Sequence, residues 1–361
     1  MPASIVRADL RDWARTIVIS DVHAHASLLS RLLETLRFCE RDLLVIAGDL
    51  LLRGKENLPT LRLAMELARR PNAVILGGNC DDVIDVLLSM PDGDKLKGYF
   101  RQNSFCHELL APLSPPPGAD CAVLRGLIRE HYAHELRFLR ERPDILDTPQ
   151  AVFVHGGLPD GDLKNASAWD SAAVRKFDDY LHHAPVLPKP VVVGHWPCCL
   201  YRDGYPDATP FWDGIKNLLS IDGGLGVKPD GQLNAVVIPR GEFEAREYFA
   251  LDELPRVRAL SSQEESAYSF YIRYGDDRVE AEEEKDGFTY VRHMRTGRGM
   301  WVPSPRLWTG EDGLLRCGDS TDWKPQVAPR DVLSLVADTS RGYLIKKNGA
   351  TGWYRGAVEY M

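Results

Sequence analysis

The chain has 361 residues, 44% hydrophobic and 27% charged, the balance of a globular protein long enough to build a full core. Its net charge of −8 excludes the clustered basic footprint that nucleic-acid binding requires, and no stretch approaches the ~18 apolar residues of a membrane span. Charges occupy residues 1–16, where a signal peptide needs an apolar core, and the seven cysteines form no C-x-x-C pair, so a cytoplasmic protein with reduced thiols is expected.

Read in chain order, the first apolar run, Ile17-Val18-Ile19, predicts a buried strand that ends at Asp21-Val22-His23, with a helix over 28–38 behind it. Leu43-Leu44-Val45-Ile46 precedes Gly48-Asp49, and Val74-Ile75-Leu76 precedes Gly78-Asn79. Helical spacing follows over 82–90, 95–110 and 122–142, broken by a proline-rich turn at 112–118. His131 and His134 are spaced one helical turn apart there, on a face that is polar in any case. Two further runs, Val152-Phe153-Val154 before His155 and Val191-Val192-Val193 before Gly194-His195, flank a polar helix expected over 170–181. Within that helix Arg175 reads as a solvated charge, and His182-His183 as complements of its C-terminal dipole. Cys198-Cys199 follow His195 closely enough to lie near it, but are expected to have no ligand role.

Five strands thus each end in a side chain able to hold a metal. In open α/β sheets polar residues just beyond the carboxyl ends of strands converge in space, however far apart they lie in the chain. Two carboxylates, three imidazoles and an amide (Asp21, His23, Asp49, Asn79, His155 and His195) are what converge here. That mixture suits Mn, Fe or Zn better than the oxygen cages of Ca or Mg. Six ligands exceed what one catalytic ion with open positions needs, and fit two ions ~3.5–4 Å apart that share a carboxylate.

At these residues the chain resembles the calcineurin-like metallophosphoesterases, within them the phosphoprotein phosphatase branch with its bacterial relatives. The matching segments are Asp21-Val22-His23, Gly48-Asp49 to Arg53-Gly54, Gly78-Asn79-Cys80-Asp81, His155-Gly156-Gly157-Leu158, Gly194-His195 and Ile221-Asp222-Gly223-Gly224. The resemblance implies a four-layer α/β/β/α sandwich and two divalent or trivalent ions (Mn, Fe or Zn). It implies Asp21 and His23 on one ion, Asp49 bridging, and Asn79, His155 and His195 on the other. Arg53 is then the phosphate clamp, a role that suits a fixed bidentate fork.

Three positions depart from the family pattern. Leu52 stands where the family has Asp and Cys80 where it has His, so a hydrogen-bonded pair near the leaving-group oxygen is absent as a unit. Positioned acids are typically worth ~10²–10⁴ in rate, which puts alkyl phosphates at a disadvantage. Asp81, His25 or a water are the alternative proton sources, and Cys80 reads as a packing residue. Ala24 replaces a usual Gly, a strained choice if φ there is positive.

After Ile238 the pattern changes. Residues 246–268 read as a linker, and 1–245 as the metallophosphoesterase domain. An internal repeat follows, in which Gly287-Phe288-Thr289-Tyr290-Val291-Arg292 leads to Gly299-Met300-Trp301, and Gly342-Tyr343-Leu344-Ile345-Lys346-Lys347 leads to Gly352-Trp353. It resembles two Src-homology-3-type barrels, over 269–310 and 311–361, with Phe288, Trp301, Tyr343 and Trp353 as core candidates and a peptide or protein partner as the functional alternative. The expected activity is a two-metal phosphomonoesterase resembling serine/threonine protein phosphatases, acting on a phosphorylated protein or small molecule through a metal-bridging hydroxide. The alternatives are a phosphodiesterase or dinucleoside polyphosphate hydrolase, or a non-catalytic phosphate-sensing protein.

Overall fold

In the computed structural model, which describes residues 2–101 and 104–361, each of the five apolar runs is a strand. The elements up to residue 251 are β1 (Ile5–Arg7), β2 (Arg15–Ile19), α1 (Ala26–Thr35), β3 (Asp42–Ala47), α2 (Asn57–Ala68), β4 (Ala73–Leu76), α3 (Val83–Ser89), α4 (Asp94–Arg101), α5 (Phe105–Leu110), α6 (Cys121–His131), α7 (Ala133–Glu141), β5 (Ile145–Asp147), β6 (Val152–Val154), α8 (Ser171–Arg175), α9 (Tyr180–His183), β7 (Val191–Val193), β8 (Phe211–Asp213), β9 (Leu218–Ser220), β10 (Leu233–Pro239) and β11 (Glu247–Leu251). They build two mixed sheets, ordered β11-β10-β2-β3-β4 and β1-β5-β6-β7-β9-β8. The strands that precede the candidate ligands run parallel within each sheet: β2 pairs β3, β3 pairs β4, and β6 pairs β7.

Strand alternation explains the layering, because successive side chains point to opposite faces. Ile17, Ile19, Leu44 and Ile46 join Leu28, Leu32, Leu61 and Leu136 in a core beneath the helices. Val18, Leu43, Val45 and Ala47 face the other way and pack with Phe153, Val192 and Leu219 of the second sheet. Both faces of β2 and β3 are therefore buried, which is why their sequences are continuously apolar rather than alternating.

Several helices are shorter than their periodicity suggests. The 122–142 segment is two helices that meet at Tyr132, whose φ of −116° ends α6 and starts α7 and whose buried hydroxyl donates to the Leu109 carbonyl. His131 closes one helix and His134 opens the next, so they do not form an i, i+3 pair on one helix. The 95–110 segment comprises α4 and α5; the intervening residues 102–103 lie outside the described ones. The 170–181 segment also divides, because Asp179 sits in the left-handed region at φ 53° between α8 and α9.

The chain forms two compact units. The second comprises Pro197–Thr209, Lys228–Gln232 and Asp252–Met361, so it draws on two segments that the sequence places inside the first domain, Cys198 and Cys199 among them. Its strands are β12 (Arg256–Ala259), β13 (Tyr271–Ile272), β14 (Val279–Lys285), β15 (Phe288–His293), β16 (Gly299–Pro303), β17 (Leu307–Thr309), β18 (Leu315–Cys317), β19 (Ser320–Thr321), β20 (Val332–Thr339), β21 (Gly342–Lys347), β22 (Ala350–Tyr354) and β23 (Val358–Tyr360). β12 lies in the stretch expected to be a linker, yet it pairs with both β20 and β23. Its Val257 and Ala259 are buried between the charged Arg256 and Arg258, an alternation too short to stand out from a polar background.

The repeat is visible as two antiparallel meanders, β14-β15-β16 and β20-β21-β22, over separate cores that contain Val291 and Ile345. Ladder positions show a register one residue away from the sequence alignment. Tyr290 opposes Trp301 and Leu344 opposes Trp353, so Tyr290 corresponds to Leu344 rather than to Ile345. With that shift the β-bulges coincide, at Ala281/Glu283 and Leu335/Ala337. Phe288 is buried as a core residue, whereas Trp301, Tyr343 and Trp353 are half-buried.

Candidate metal centre

The six candidate ligands come together at the carboxyl ends of β2, β3, β4, β6 and β7. His23 Nε2 lies 3.9 Å from Asp21 Oδ1 and 3.8 Å from Asp49 Oδ2. His155 Nε2 lies 3.2 Å from Asp49 Oδ1 and 3.2 Å from Asn79 Oδ1. The rings of His155 and His195 meet edge to face at 5.3 Å between centroids. Two groups of potential ligand atoms lie within 4.8 Å of one another: His23, Asp49 and Cys80, and Asp49, His155 and His195. Asp49 belongs to both. Arg53 is exposed on the loop after Asp49, next to Leu52, and both residues have positive φ (70° and 69°).

The glycines in the motifs have steric reasons. A Cβ at Gly78 would collide with the amide and carboxylate of Asp49, and one at Gly194 with Ser20 Oγ and the Asp21 carboxylate. Gly78 thus lets the loop that carries Asn79 pass against Asp49 of the neighbouring strand, and Gly194 lets the loop that carries His195 pass against Asp21 of the other sheet. The backbone is also bent locally, since Asp21, His23, Asp49 and His195 all have φ between 47° and 67°. Asp and His are enriched in that left-handed region, and such positions cluster at functional sites. Ala24 adopts it too, at φ 58° with its methyl fully buried, so the backbone keeps the turn for which a glycine is better suited.

Hydrogen bonds outside the cluster fix the imidazoles. His23 Nδ1 is 3.2 Å from the Leu51 carbonyl and His155 Nδ1 is 2.8 Å from the Ala47 carbonyl, contacts that require a proton on Nδ1. Each Nε2 is then directed at carboxylate oxygens. A neutral Nε2 lone pair facing oxygen lone pairs is repulsive, and either a second proton or a cation relieves it. In protein alone the proton does so: burial would lower the His155 pKa, but the carboxylates of Asp49 and Asp21 raise it to about 10. Burial pushes the Asp21 carboxyl well above its usual range, helped by Asp222, while Asp49 is held below its own, the positive charge of His155 outweighing burial. Burial, with His155 close by, lowers the His195 imidazole. A buried set of carboxylates and tautomer-fixed imidazoles of this kind is the donor chemistry that Mn, Fe or Zn ions fit.

Residues that support the cluster were less legible. Asp178 Oδ1 is 2.8 Å from His195 Nε2 and comes from the break between α8 and α9, a break that a segment of helical appearance does not announce. Asp222, in the Ile221-Asp222-Gly223-Gly224 segment, is fully buried, accepts the Gly224 N–H at 2.7 Å, and perturbs Asp21. Asp81 is not placed to release a proton, because its buried carboxylate accepts from Leu50, Leu51 and Gly78 N–H groups and from Arg142 Nη1 at 2.7–3.1 Å. His25 is half-buried, with Nδ1 3.1 Å from the Val22 carbonyl. Arg175 is neither solvated nor free to reach a substrate, since it is buried between Asp144 and Asp82 at 2.6 and 2.5 Å. His182 and His183 contact Asp179 and lie outside the two ligand groups. All seven cysteines are free thiols, and among the described residues no helix is long and apolar enough to cross a membrane.

A family model described as calcineurin-like phosphoesterase matches residues 14–205, more than half of the chain. Among curated proteins, the chain is 29% identical over 177 residues to a symmetrical bis(5'-nucleosyl)-tetraphosphatase of Dechloromonas aromatica (strain RCB), covering 43% of this chain and 60% of that protein. It is 30% identical over 151 residues to the protein of the same description from Shewanella frigidimarina (strain NCIMB 400), covering 36% of this chain and 53% of that protein. The chain thus spans 53–60% of the length of these relatives. Among solved structures, a serine/threonine protein phosphatase from Saccharomyces cerevisiae aligns over 70% of this chain and 85% of its own at 11% identity and a TM-score of 0.43. With that match over residues 14–205, the chain belongs to the calcineurin-like phosphoesterase family, whose members are metal-dependent.

Proposed function

We propose that this chain is a two-metal phosphoester hydrolase whose substrates have leaving groups that depart without a proton. The observation that carries the reading is Asp49, whose carboxylate belongs to both ligand groups, as a bridging ligand must. Asp21 and His23 would hold one ion, and Asn79, His155 and His195 the other, with Mn, Fe or Zn as the candidates. Ions held there supply charge to the transferring phosphoryl group and lower the pKa of water. The residues supply position: the carbonyls of Leu51 and Ala47 aim the imidazoles, and Asp178 steers His195. Exposed Arg53 is free to turn its guanidinium toward a phosphate.

Leaving-group preference follows from the proton donors that the sequence lacks near the ligands. Leu52 and Cys80 replace the family's carboxyl and imidazole pair, and Asp81 is saturated by four donors. Phosphoanhydrides and aryl esters release anions that are stable unprotonated, so dinucleoside polyphosphates suit this site better than alkyl esters such as phosphoserine. The named activity of the two curated relatives supports the same substrate class. A phosphomonoesterase of the phosphoprotein phosphatase kind would use the same ligands on a terminal phosphoryl group with a more basic leaving group. The four-layer arrangement and the two Src-homology-3-type barrels belong to this reading as well, supported by the sheet pair under its helix layer and by the repeated meanders.

The test is a metal-dependent comparison of p-nitrophenyl, phenyl and alkyl phosphates with a dinucleoside tetraphosphate. Rates should fall steeply as the leaving group becomes more basic. Equal chemical-step rates for phenyl and alkyl esters would refute the preference, and full activity in excess chelator would refute the metal mechanism.

A further inference from the structure

Cys80 was expected to be a packing residue, and its surroundings do not fit that role. Other buried thiols of this chain behave as small hydrophobes: Cys106 and Cys121 lie in the apolar core under the helices, and Cys317 lies in an apolar cluster, where its Sγ also donates to the Gly318 carbonyl at 3.2 Å. Cys80 instead faces His23 and Asp49, and its Sγ, an imidazole nitrogen and a carboxylate oxygen are mutually within 4.8 Å. In a tetrahedral site an ion with bonds of ~2.3 Å to sulfur and ~2.0–2.1 Å to nitrogen or oxygen brings its ligand atoms ~3.3–3.6 Å apart, so shifts of up to about 1 Å close the set.

Local hydrogen bonding favours an inward sulfur. The Cys80 N–H donates to Asp49 Oδ1 at 2.8 Å, which ties the residue to the shared carboxylate. Asn79 Nδ2 donates to Cys80 Sγ at 3.6 Å, and the thiol itself donates to the Asp49 carboxylate, so the sulfur is turned toward the shared ligand.

We propose that Cys80 is a ligand of the first metal ion, beside His23 and Asp49, so that the centre contains one thiolate; this rests on the two-metal reading above. Binding releases the thiol proton to solvent as the sulfur–metal bond forms. A soft ligand in one half shifts that half toward Zn, Fe or Co and away from Mn, while the half with Asn79, His155 and His195 keeps borderline character.

The test reads the bond itself. Full-length protein reconstituted with Co(II) should show visible d–d bands together with a near-ultraviolet thiolate-to-cobalt charge-transfer band. In Cys80→Ser the charge-transfer band should be lost and the d–d bands kept, whereas Cys106→Ser should keep both. Wild-type d–d bands without the charge-transfer band would overturn the thiolate proposal and leave the metal centre standing. Absence of all cobalt bands would overturn the two-metal reading itself. Should Cys80→Ser fail to fold, X-ray absorption of the zinc-loaded wild type decides: a sulfur shell at ~2.3 Å supports the bond, and a first shell of nitrogen and oxygen alone overturns it.

Discussion

His195 Nε2–H donates a 2.8 Å hydrogen bond to Asp178 Oδ1, and this leaves the other ring nitrogen as the one available to the metal cluster. Replacing the carboxylate should loosen the ring without removing the ligand. Asp178→Asn is expected to weaken metal affinity or activity by ~10–100-fold, the usual cost of losing such a partner, with little change in thermal stability of the metal-free protein. Metal titration by calorimetry checks it; unchanged affinity together with unchanged activity would show that His195 needs no orienting group.

On the two-metal reading proposed above, Asp49→Ala would remove the shared carboxylate and His155→Ala a ligand of one ion only. In both variants hydrolysis of p-nitrophenyl phosphate should fall to background, because a correctly charged pair of ions is worth several kcal/mol of transition-state stabilisation. Asp49→Ala should in addition reduce binding of both ions, and His155→Ala of one. Elemental analysis after dialysis distinguishes the two patterns.

Arg53 is exposed and lies beyond the two ligand groups. Arg53→Ala should therefore leave metal content unchanged and lower kcat/KM by ~10²–10³, the range seen when one donor to developing charge is removed. Steady-state kinetics at saturating metal measures it, and a loss of bound metal would assign Arg53 a structural role instead.

Arg142 and Asp81 form a buried pair at 2.7 Å, with side chains only 2% and 0% exposed. Their value is architectural, since Asp81 also receives the N–H groups of Leu50, Leu51 and Gly78 that shape the two ligand loops. Arg142→Met leaves an uncompensated buried carboxylate and should cost ~3–5 kcal/mol. Urea unfolding provides the number. The double variant Arg142→Met with Asp81→Asn should recover part of the loss.

Asp42 is buried, and although burial raises its carboxyl, the fork of Arg15 at 3.0 Å to each oxygen and the Cys39 N–H hold it below the ordinary value. A carboxyl with a lowered folded pKa contributes stability above its unfolded value of ~3.9, and the contribution fades as pH falls through the folded value. Asp42→Asn should thus be less stable than wild type at pH 7, with the difference shrinking below about pH 4. Unfolding curves between neutral and acid pH check the sign.

The strands and ligands were legible because a buried strand must be apolar on both faces and its end must turn, so Val-Ile runs followed by Gly and a polar residue stand out. Helix breaks were not, since they depend on tertiary contacts: Tyr132 divides α6 from α7 by seating its hydroxyl on the Leu109 carbonyl, and Asp179 turns left-handed between two segments of helical spacing. Asp178 was hidden for the same reason. Arg175 looked solvated because a basic residue between Val174 and Lys176 carries no sign of the two carboxylates, from Asp82 and Asp144, that enclose it. In the repeat, alignment on Gly287 and Gly342 misplaced the ladder by one residue because those glycines occupy different positions of their turns.

The left-handed backbone at the strand ends also limits how this centre can change. Asp, Asn, His and Gly are the residues that tolerate such φ values most readily, and the first three are themselves metal ligands. A substitution at Asp21, His23, Asp49 or His195 drawn from outside that set loses the ligand and meets an unfavourable backbone at once, so stepwise drift at these positions is doubly penalised. Ala24, Leu52 and Arg53 carry the same backbone without belonging to the tolerant set, which marks them as places where the chain accepts conformational strain. Asp at position 52 would relieve strain while adding a carboxyl to the loop after Asp49. That change is therefore open to the chain in a way that replacement of the four left-handed residues of the cluster is not.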